Sequence, residues 1–308
     1  MKPNILIAGT GAIGGYFGSH LAMNKNLNVC FLSRGKALEY YMKHPLRIHS
    51  SVHKDIKVKI NVSDKITSFR KKFDYVFVCI KSRDTKNLIP EIEKVIKKKS
   101  QIVSLQNGIY NFRILKEHFG YKQCLQAICK IGVEVDRKYI IQHSSLGFLV
   151  IGEMKGKPTK RIILLNGLLS DSGIKVKVSD DFLREFWIKF AWNSIINTLT
   201  GIFFVTVDEL FADKEMDKLV MQFYSELKKI AKANGVVFDA IAYKKIISDT
   251  KSLGKFKTSA YQDRLKNNEV ETPYFTSELM RMAKTKHIQI PVITYLHYLS
   301  RAVSLISV

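Results

Sequence analysis

The chain has 308 residues, 46% hydrophobic and 25% charged, a balance ordinary for a soluble globular protein and a length sufficient for two domains. No stretch reaches the ~18 uninterrupted apolar residues of a membrane span. The best candidate, 194–207, is broken by Asn197, Thr198, Thr200 and Gly201, and the N-terminus does not read as a signal peptide, so a cytoplasmic protein with no membrane partner is expected.

Lys and Arg together number 50 against 27 Asp and Glu, a formal net charge of +23. The basic residues are scattered and accompany no recognition helix, zinc finger or aromatic RNA-binding pattern, so a solvated lysine-rich surface is expected rather than a nucleic-acid site. Such a field also draws in anionic substrates. The four cysteines, Cys30, Cys79, Cys124 and Cys129, suggest reduced, mostly buried thiols. Neither the Cys124–Cys129 pair nor His49 with His53 completes a metal-ligand pattern, and the two histidines are expected at the surface.

In chain order, 4–9 is a short continuous apolar run, as expected of a parallel strand buried on both faces. A glycine-rich turn and a helix to about Asn24 follow, then a strand at 28–33. Further strands are expected at 74–80 and 101–105, separated by a helix over 85–97. Strands alternating with helices imply right-handed βαβ units and a parallel sheet. Two shorter β-like runs at 139–143 and 147–152, a helix over 159–172 and an alternating strand at 174–178 complete this part. Beyond Asp180 only helices are expected, over 181–202, 216–234, 239–250, 272–286 and 292–307. The fold class is therefore α/β: a Rossmann-type domain over 1–178, followed by an all-α domain over 179–308.

The turn reads Gly9-Thr10-Gly11-Ala12-Ile13-Gly14. Gly-x-Gly-x-x-Gly alone is a weak signal, but this one lies directly after a strand and opens a helix. Gly9 permits the tight turn, Gly11 lets backbone approach a pyrophosphate, and Gly14 allows close helix–strand packing above amides that attract the anion. An NAD site would place an acidic residue about 20 positions onward. Arg34 stands there instead, beside Ser33, and suits the 2′-phosphate of NADPH or NADP+. Lys81 and Asn107-Gly108 also follow expected strand ends, where ligands of open α/β sheets bind.

The stretch 186–197, Phe-Trp-Ile-Lys-Phe-Ala-Trp-Asn-Ser-Ile-Ile-Asn, places Lys189, Asn193 and Asn197 on one face of an otherwise apolar helix. Buried without partners these groups would be costly. Either a ligand satisfies them or the amides bond to one another within a helical core.

Together these segments resemble the 2-dehydropantoate 2-reductases, or ketopantoate reductases: the glycine turn, Val-Cys-Ile-Lys81, Leu-Gln-Asn107-Gly108, the 186–197 helix, and Thr258-Ser259-Ala-Tyr-Gln-Asp263 followed by Glu271. The resemblance spans most of the chain and implies NADPH-dependent reduction of 2-dehydropantoate to pantoate, a step toward pantothenate and coenzyme A. It implies that Lys189 is the general acid, that Glu271 orients the substrate, and that Asn193, Asn197 and Ser259 bind it, with Lys81 and Asn107 on the cofactor side. Charge builds on the ketone oxygen as hydride arrives, and a cation there stabilises it and donates a proton. Desolvation beside Phe190 and Trp192 is expected to lower the Lys189 pKa. Pro273 departs from the expected pattern and puts Glu271 just before a helix start, with Glu269 the alternative site glutamate. A reductase of another branched 2-oxo acid is the alternative within the class, and a non-catalytic dinucleotide sensor the alternative outside it. A homodimer through the apolar helices, including 292–307, is left open.

Overall fold

The computed structural model describes residues 2–238, 247, 248 and 250–306. Two compact units divide the chain: Met1–Gln106 with Asn111–Phe182, and Asn107–Tyr110 with Leu183–Val308. Among the described residues, no helix is long and apolar enough to cross a membrane.

The strands of the first unit are β1 (Asn4–Ala8), β2 (Asn28–Leu32), β3 (Leu46–Ser50), β4 (Ile56–Val58), β5 (Asn61–Ser63), β6 (Phe73–Val78), β7 (Ile96–Ser104), β8 (Cys124–Val135), β9 (Ile141–Ile151) and β10 (Lys175–Val178). Helices α1 (Ala12–Met23), α2 (Gly35–Lys43), α3 (Thr85–Glu93), α4 (Ile109–Phe119) and α5 (Lys160–Ser170) intervene. The order β5-β2-β1-β6-β7-β8 is parallel throughout and reverses direction of growth between β1 and β6, the switch point of a Rossmann-type sheet. Burial explains the composition: Ile5, Ile7, Phe31, Phe77 and Val103 lie in one core with Phe17 and Leu21 of α1.

The sheet continues beyond this core through β9, β3 and β4, with β10 also on β9. Strand β8, absent from the sequence expectation, makes the join. Its first residues pair parallel with β7, and 127–135 pair antiparallel with β9. The two short runs expected at 139–143 and 147–152 form the single strand β9. Leu146 and Gly147 adopt positive φ values of 59° and 115°, and the register shifts opposite Lys130–Val133, so the alternation is interrupted although the pairing is not. Tyr139, at φ 59°, belongs to the preceding turn. His49 is exposed and paired with Asp55, but His53 is not a free surface residue: it is half-buried against Tyr16 and His143. Among the described residues, no group of three or more His, Cys, Asp or Glu could hold a metal ion.

The second unit contains α6 (Phe182–Trp192), whose first residue belongs to the first unit, α7 (Thr198–Phe203), α8 (Val207–Leu210), α9 (Lys214–Ala233), α10 (Ser259–Leu265), α11 (Thr272–Thr285) and α12 (Pro291–Ile306). The helix expected over 239–250 falls largely outside the described residues. Phe190, Ile195, Leu199, Phe223, Leu227, Phe275, Leu279 and Ile293 share one core. Buried Glu226 of α9 accepts hydrogen bonds from the Val292 and Ile293 amides at 3.0 and 2.9 Å, which satisfies two otherwise unpaired donors at the start of α12. Residues 193–197 wind as a π turn between α6 and α7, so the 181–202 segment is helical but not uniformly α-helical.

Candidate active site

In the first unit, β1 runs directly into Gly9, whose φ of 113° excludes most side chains. A Cβ on Gly14 would collide with the Gly9 carbonyl, whereas Gly11 has open space around it. Helix α1 starts at Ala12 with no side-chain cap and no acidic residue in its first turn, leaving its leading amides available to an anion. Half-buried Ile13 packs against the core, and the Thr10 hydroxyl lies 2.6 Å from that of Ser33, tying the loop to the end of β2. These features fit a dinucleotide diphosphate.

Arg34 immediately precedes α2 and is exposed, with Nη2 2.6 Å from Glu91 Oε1. Lys81 is half-buried and follows β6, at the start of a short 3-10 turn over Ser82–Asp84. Because β1, β2 and β6 are parallel, the glycine turn, Arg34 and Lys81 all follow carboxyl ends on one edge of the sheet.

A buried polar network fixes the Lys81 turn. Gln106 Nε2 donates to the Ile80 carbonyl and to Thr85 Oγ1, both at 2.8 Å. Thr85 Oγ1 donates to Asn111 Oδ1, and Asn111 Nδ2 donates to Ser82 Oγ, both at 2.9 Å. Sequence reasoning did not single out Ser82, Thr85, Gln106 or Asn111. Polar residues flanking a strand end were the available signal, but their convergence depends on three separate segments.

In the second unit, Lys189 is half-buried and its Nζ lies 4.5 Å from the centre of the Trp192 ring, a cation–π distance. Asn193 and Asn197 are each only 2% exposed. Asn193 Nδ2 donates to Asn107 Oδ1 at 3.2 Å, and Asn197 Nδ2 donates to Asn193 Oδ1 at 3.3 Å. The amides thus form a ladder, and partial mutual satisfaction is the outcome rather than full dependence on a ligand. Asn197 Oδ1, Ser194 Oγ and Thr198 Oγ1 are buried without hydrogen-bond partners, so this region retains unsatisfied polar capacity.

Gly108 holds the Asn107 segment in this unit: its φ is 79°, and a Cβ would lie 2.7 Å from Phe275 Cδ1 of α11. Helices α10 and α11 both pack against the π turn. Ser259 is the exposed first residue of α10, while Thr258 behind it is buried and bonded to Thr200 Oγ1 at 2.7 Å. Glu271 is the half-buried residue preceding α11, with Pro273 second in that helix, and Glu269 lies two residues earlier in the connecting loop. The structure therefore joins Asn107, Asn193 and Asn197 in one hydrogen-bonded ladder, places Lys189 one turn before Asn193, and sets Ser259 and Glu271 at the starts of adjoining helices.

Residues 5–156 match the family described as Ketopantoate reductase PanE/ApbA, and residues 181–304 match Ketopantoate reductase PanE/ApbA C terminal. A 2-dehydropantoate 2-reductase of Mesorhizobium japonicum is 23% identical over 300 residues, covering 91% of each chain. The crystal structure of 2-dehydropantoate 2-reductase from Geobacter metallireducens has a TM-score of 0.89 at 23% identity, over 97% of this chain and 99% of that one. A ternary structure of D-mandelate dehydrogenase with NADH and anilino(oxo)acetate has a TM-score of 0.88 at 21% identity, over 98% of both chains. These structural likenesses establish the fold, and the two family matches establish the lineage. The chain belongs to the ketopantoate reductase PanE/ApbA family of oxidoreductases.

Proposed function

We propose that this protein reduces 2-dehydropantoate to pantoate with NADPH in the cytoplasm, with Lys189 as general acid. The observation that carries this reading is the family match over both parts of the chain, the second of which contains the Lys189, Asn193 and Asn197 helix. A bound nicotinamide would supply hydride to the ketone carbon. The Lys189 ammonium stabilises the growing charge on the ketone oxygen and transfers its proton there. Asn197 Oδ1, a buried acceptor without a partner, suits a substrate hydroxyl donor; Asn193 supports that amide from one turn away, Ser259 binds the substrate, and Glu271 orients it. On the cofactor side, residues 9–14 hold the diphosphate, Arg34 meets the 2′-phosphate after releasing Glu91, and Lys81 and Asn107 complete the site.

The test is nicotinamide absorbance with purified protein and 2-dehydropantoate, comparing NADPH with NADH and wild type with Lys189→Ala. Turnover that prefers NADPH and collapses in the variant is expected. NADPH binding without turnover would reject this substrate. The likeness to a mandelate dehydrogenase makes other 2-oxo acids, including aromatic ones, the second reading, and turnover of those compounds in the same assay distinguishes it.

A further inference from the structure

Lys189 and Trp192 stand one turn apart at the end of α6, a spacing that puts two side chains on the same face of a helix. Both are half-buried, and Lys189 Nζ lies 4.5 Å from the centre of the Trp192 ring. Trp192 is the last residue of α6 before the π turn that carries Asn193 and Asn197, so it links the lysine to the amide ladder.

The indole is itself fixed. Its Nε1 donates to Thr250 Oγ1 at 2.9 Å, and Thr250 is only 1% exposed. The Phe256 ring meets it edge-on, with centroids 6.5 Å apart and planes at 64°. Phe256 is tied in turn, because the amide of Val207, the first residue of α8, donates to its carbonyl at 3.1 Å. Turning the indole would break a hydrogen bond and an aromatic contact together.

We propose that Trp192 is a positioning residue whose ring holds the Lys189 ammonium where it can donate to the ketone oxygen. This rests on the reaction proposed above: as hydride reaches the carbonyl carbon, an Nζ–H bond breaks, the oxygen takes the proton and the amine is left neutral. Lysine is a flexible chain, and an ammonium free to sample its rotamers is seldom in the geometry for that transfer. Misplacement by about 1 Å can cost roughly 100-fold in rate. Tryptophan is the strongest aromatic partner of a cation, attracting it through the ring quadrupole. Unlike a carboxylate, the ring adds no negative charge, so the charge of the ammonium stays available to the oxygen that gains electron density. The aromatic face is what distinguishes this role from packing. Phenylalanine keeps such a face, whereas leucine fills space without one.

Nuclear magnetic resonance and kinetics on the full chain test the proposal. In protein labelled with carbon-13 at the lysine ε-carbons, the Lys189 ε-methylene is identified as the signal missing from Lys189→Ala. The ring current should displace its protons upfield of those of other lysines. The displacement should persist in part in Trp192→Phe and vanish in Trp192→Leu. With 2-dehydropantoate, or whichever 2-oxo acid is turned over, Trp192→Leu should lower kcat at least about tenfold, change KM for the oxo acid less, and be partly rescued by Trp192→Phe. Thermal unfolding checks that the variants are folded. Should Trp192→Leu not fold, the wild-type spectrum and Trp192→Phe still decide. A Lys189 signal without upfield displacement in the wild type overturns the proposal, as does a wild-type kcat in Trp192→Leu or an equal loss in the two variants. Absence of turnover with every 2-oxo acid rejects the reaction and the catalytic part of the proposal with it, whereas the spectrum separately reports whether the ring holds the ammonium.

Discussion

Gly108 shows how one residue couples sequence to site. Its positive φ and the nearby Phe275 ring exclude a Cβ, so Gly108→Ala should cost about 2–4 kcal/mol, combining backbone strain with overpacking. Chemical denaturation checks the cost, and an unchanged midpoint would show that Phe275 gives way freely. Arg34 makes a different prediction. Its pair with Glu91 is exposed, and such pairs contribute only about 0–1 kcal/mol, so a phosphate can compete for the guanidinium. Arg34→Ala should weaken NADPH roughly 10–100-fold and leave NADH nearly unchanged, while Glu91→Gln should tighten NADPH a few-fold. Calorimetric titration measures both, and equal losses for the two cofactors would remove Arg34 from the phosphate site. The place of Arg34 just beyond the second strand was legible in the sequence, but its pairing with Glu91 was not, because 57 residues separate the two.

At the level of elements, side-chain networks decide how loops and helices are held. The turn bearing Lys81 rests on Ser82, Thr85, Gln106 and Asn111, which come from β6, α3, β7 and α4 or the turns beside them. Asn111→Leu keeps side-chain size but removes the bonds to Thr85 and Ser82, so it should lower kcat/KM for NADPH as well as stability. Parallel kinetics and denaturation separate the effects, and a loss of stability alone would make the network purely structural. Glu226 acts likewise on α12. Glu226→Ala leaves the Val292 and Ile293 amides buried without acceptors and should cost about 2–4 kcal/mol. Glu226→Gln, which retains one acceptor oxygen, should cost less, and equal losses in the two variants would contradict the capping role. The β1–α1–β2 unit was readable because strong local patterns coincide. Strand β8 was missed because its partners change along its length, from parallel β7 to antiparallel β9.

For the whole molecule, acid should be destabilising through half-buried His20 and buried Glu153. Burial, reinforced by His53 and His143, drives His20 down to about 4, below its ordinary value of 6.5. Its imidazole is therefore protonated in the unfolded chain before the folded one, and stability falls as pH drops from about 6.5 to about 4. Burial alone would raise the Glu153 carboxyl, but hydrogen bonds from Arg161 and Thr159 outweigh it and hold the group below its usual range. That contribution is present above the unfolded carboxyl value and is lost as pH falls through the folded one, so both groups act in the same direction. Thermal unfolding at constant ionic strength should show the midpoint falling below pH 6.5, with a shallower fall in His20→Gln. Identical pH profiles would exclude His20 as a contributor.

The sequence by itself determined the Rossmann-type α/β start, the helical remainder, and the polar stripe of Lys189, Asn193 and Asn197, because these depend on short-range periodicity and on residue types with few conformational alternatives. Tertiary structure decided the rest. It joined Asn107 to the helical unit, bound Asn193 to Asn107 across 86 residues, and converted the middle of a predicted helix into a π turn. It also left one face of α12 apolar and exposed. Hydrophobic patterning marks which side chains seek burial, but only the packed chain shows which polar groups meet and which apolar faces remain uncovered.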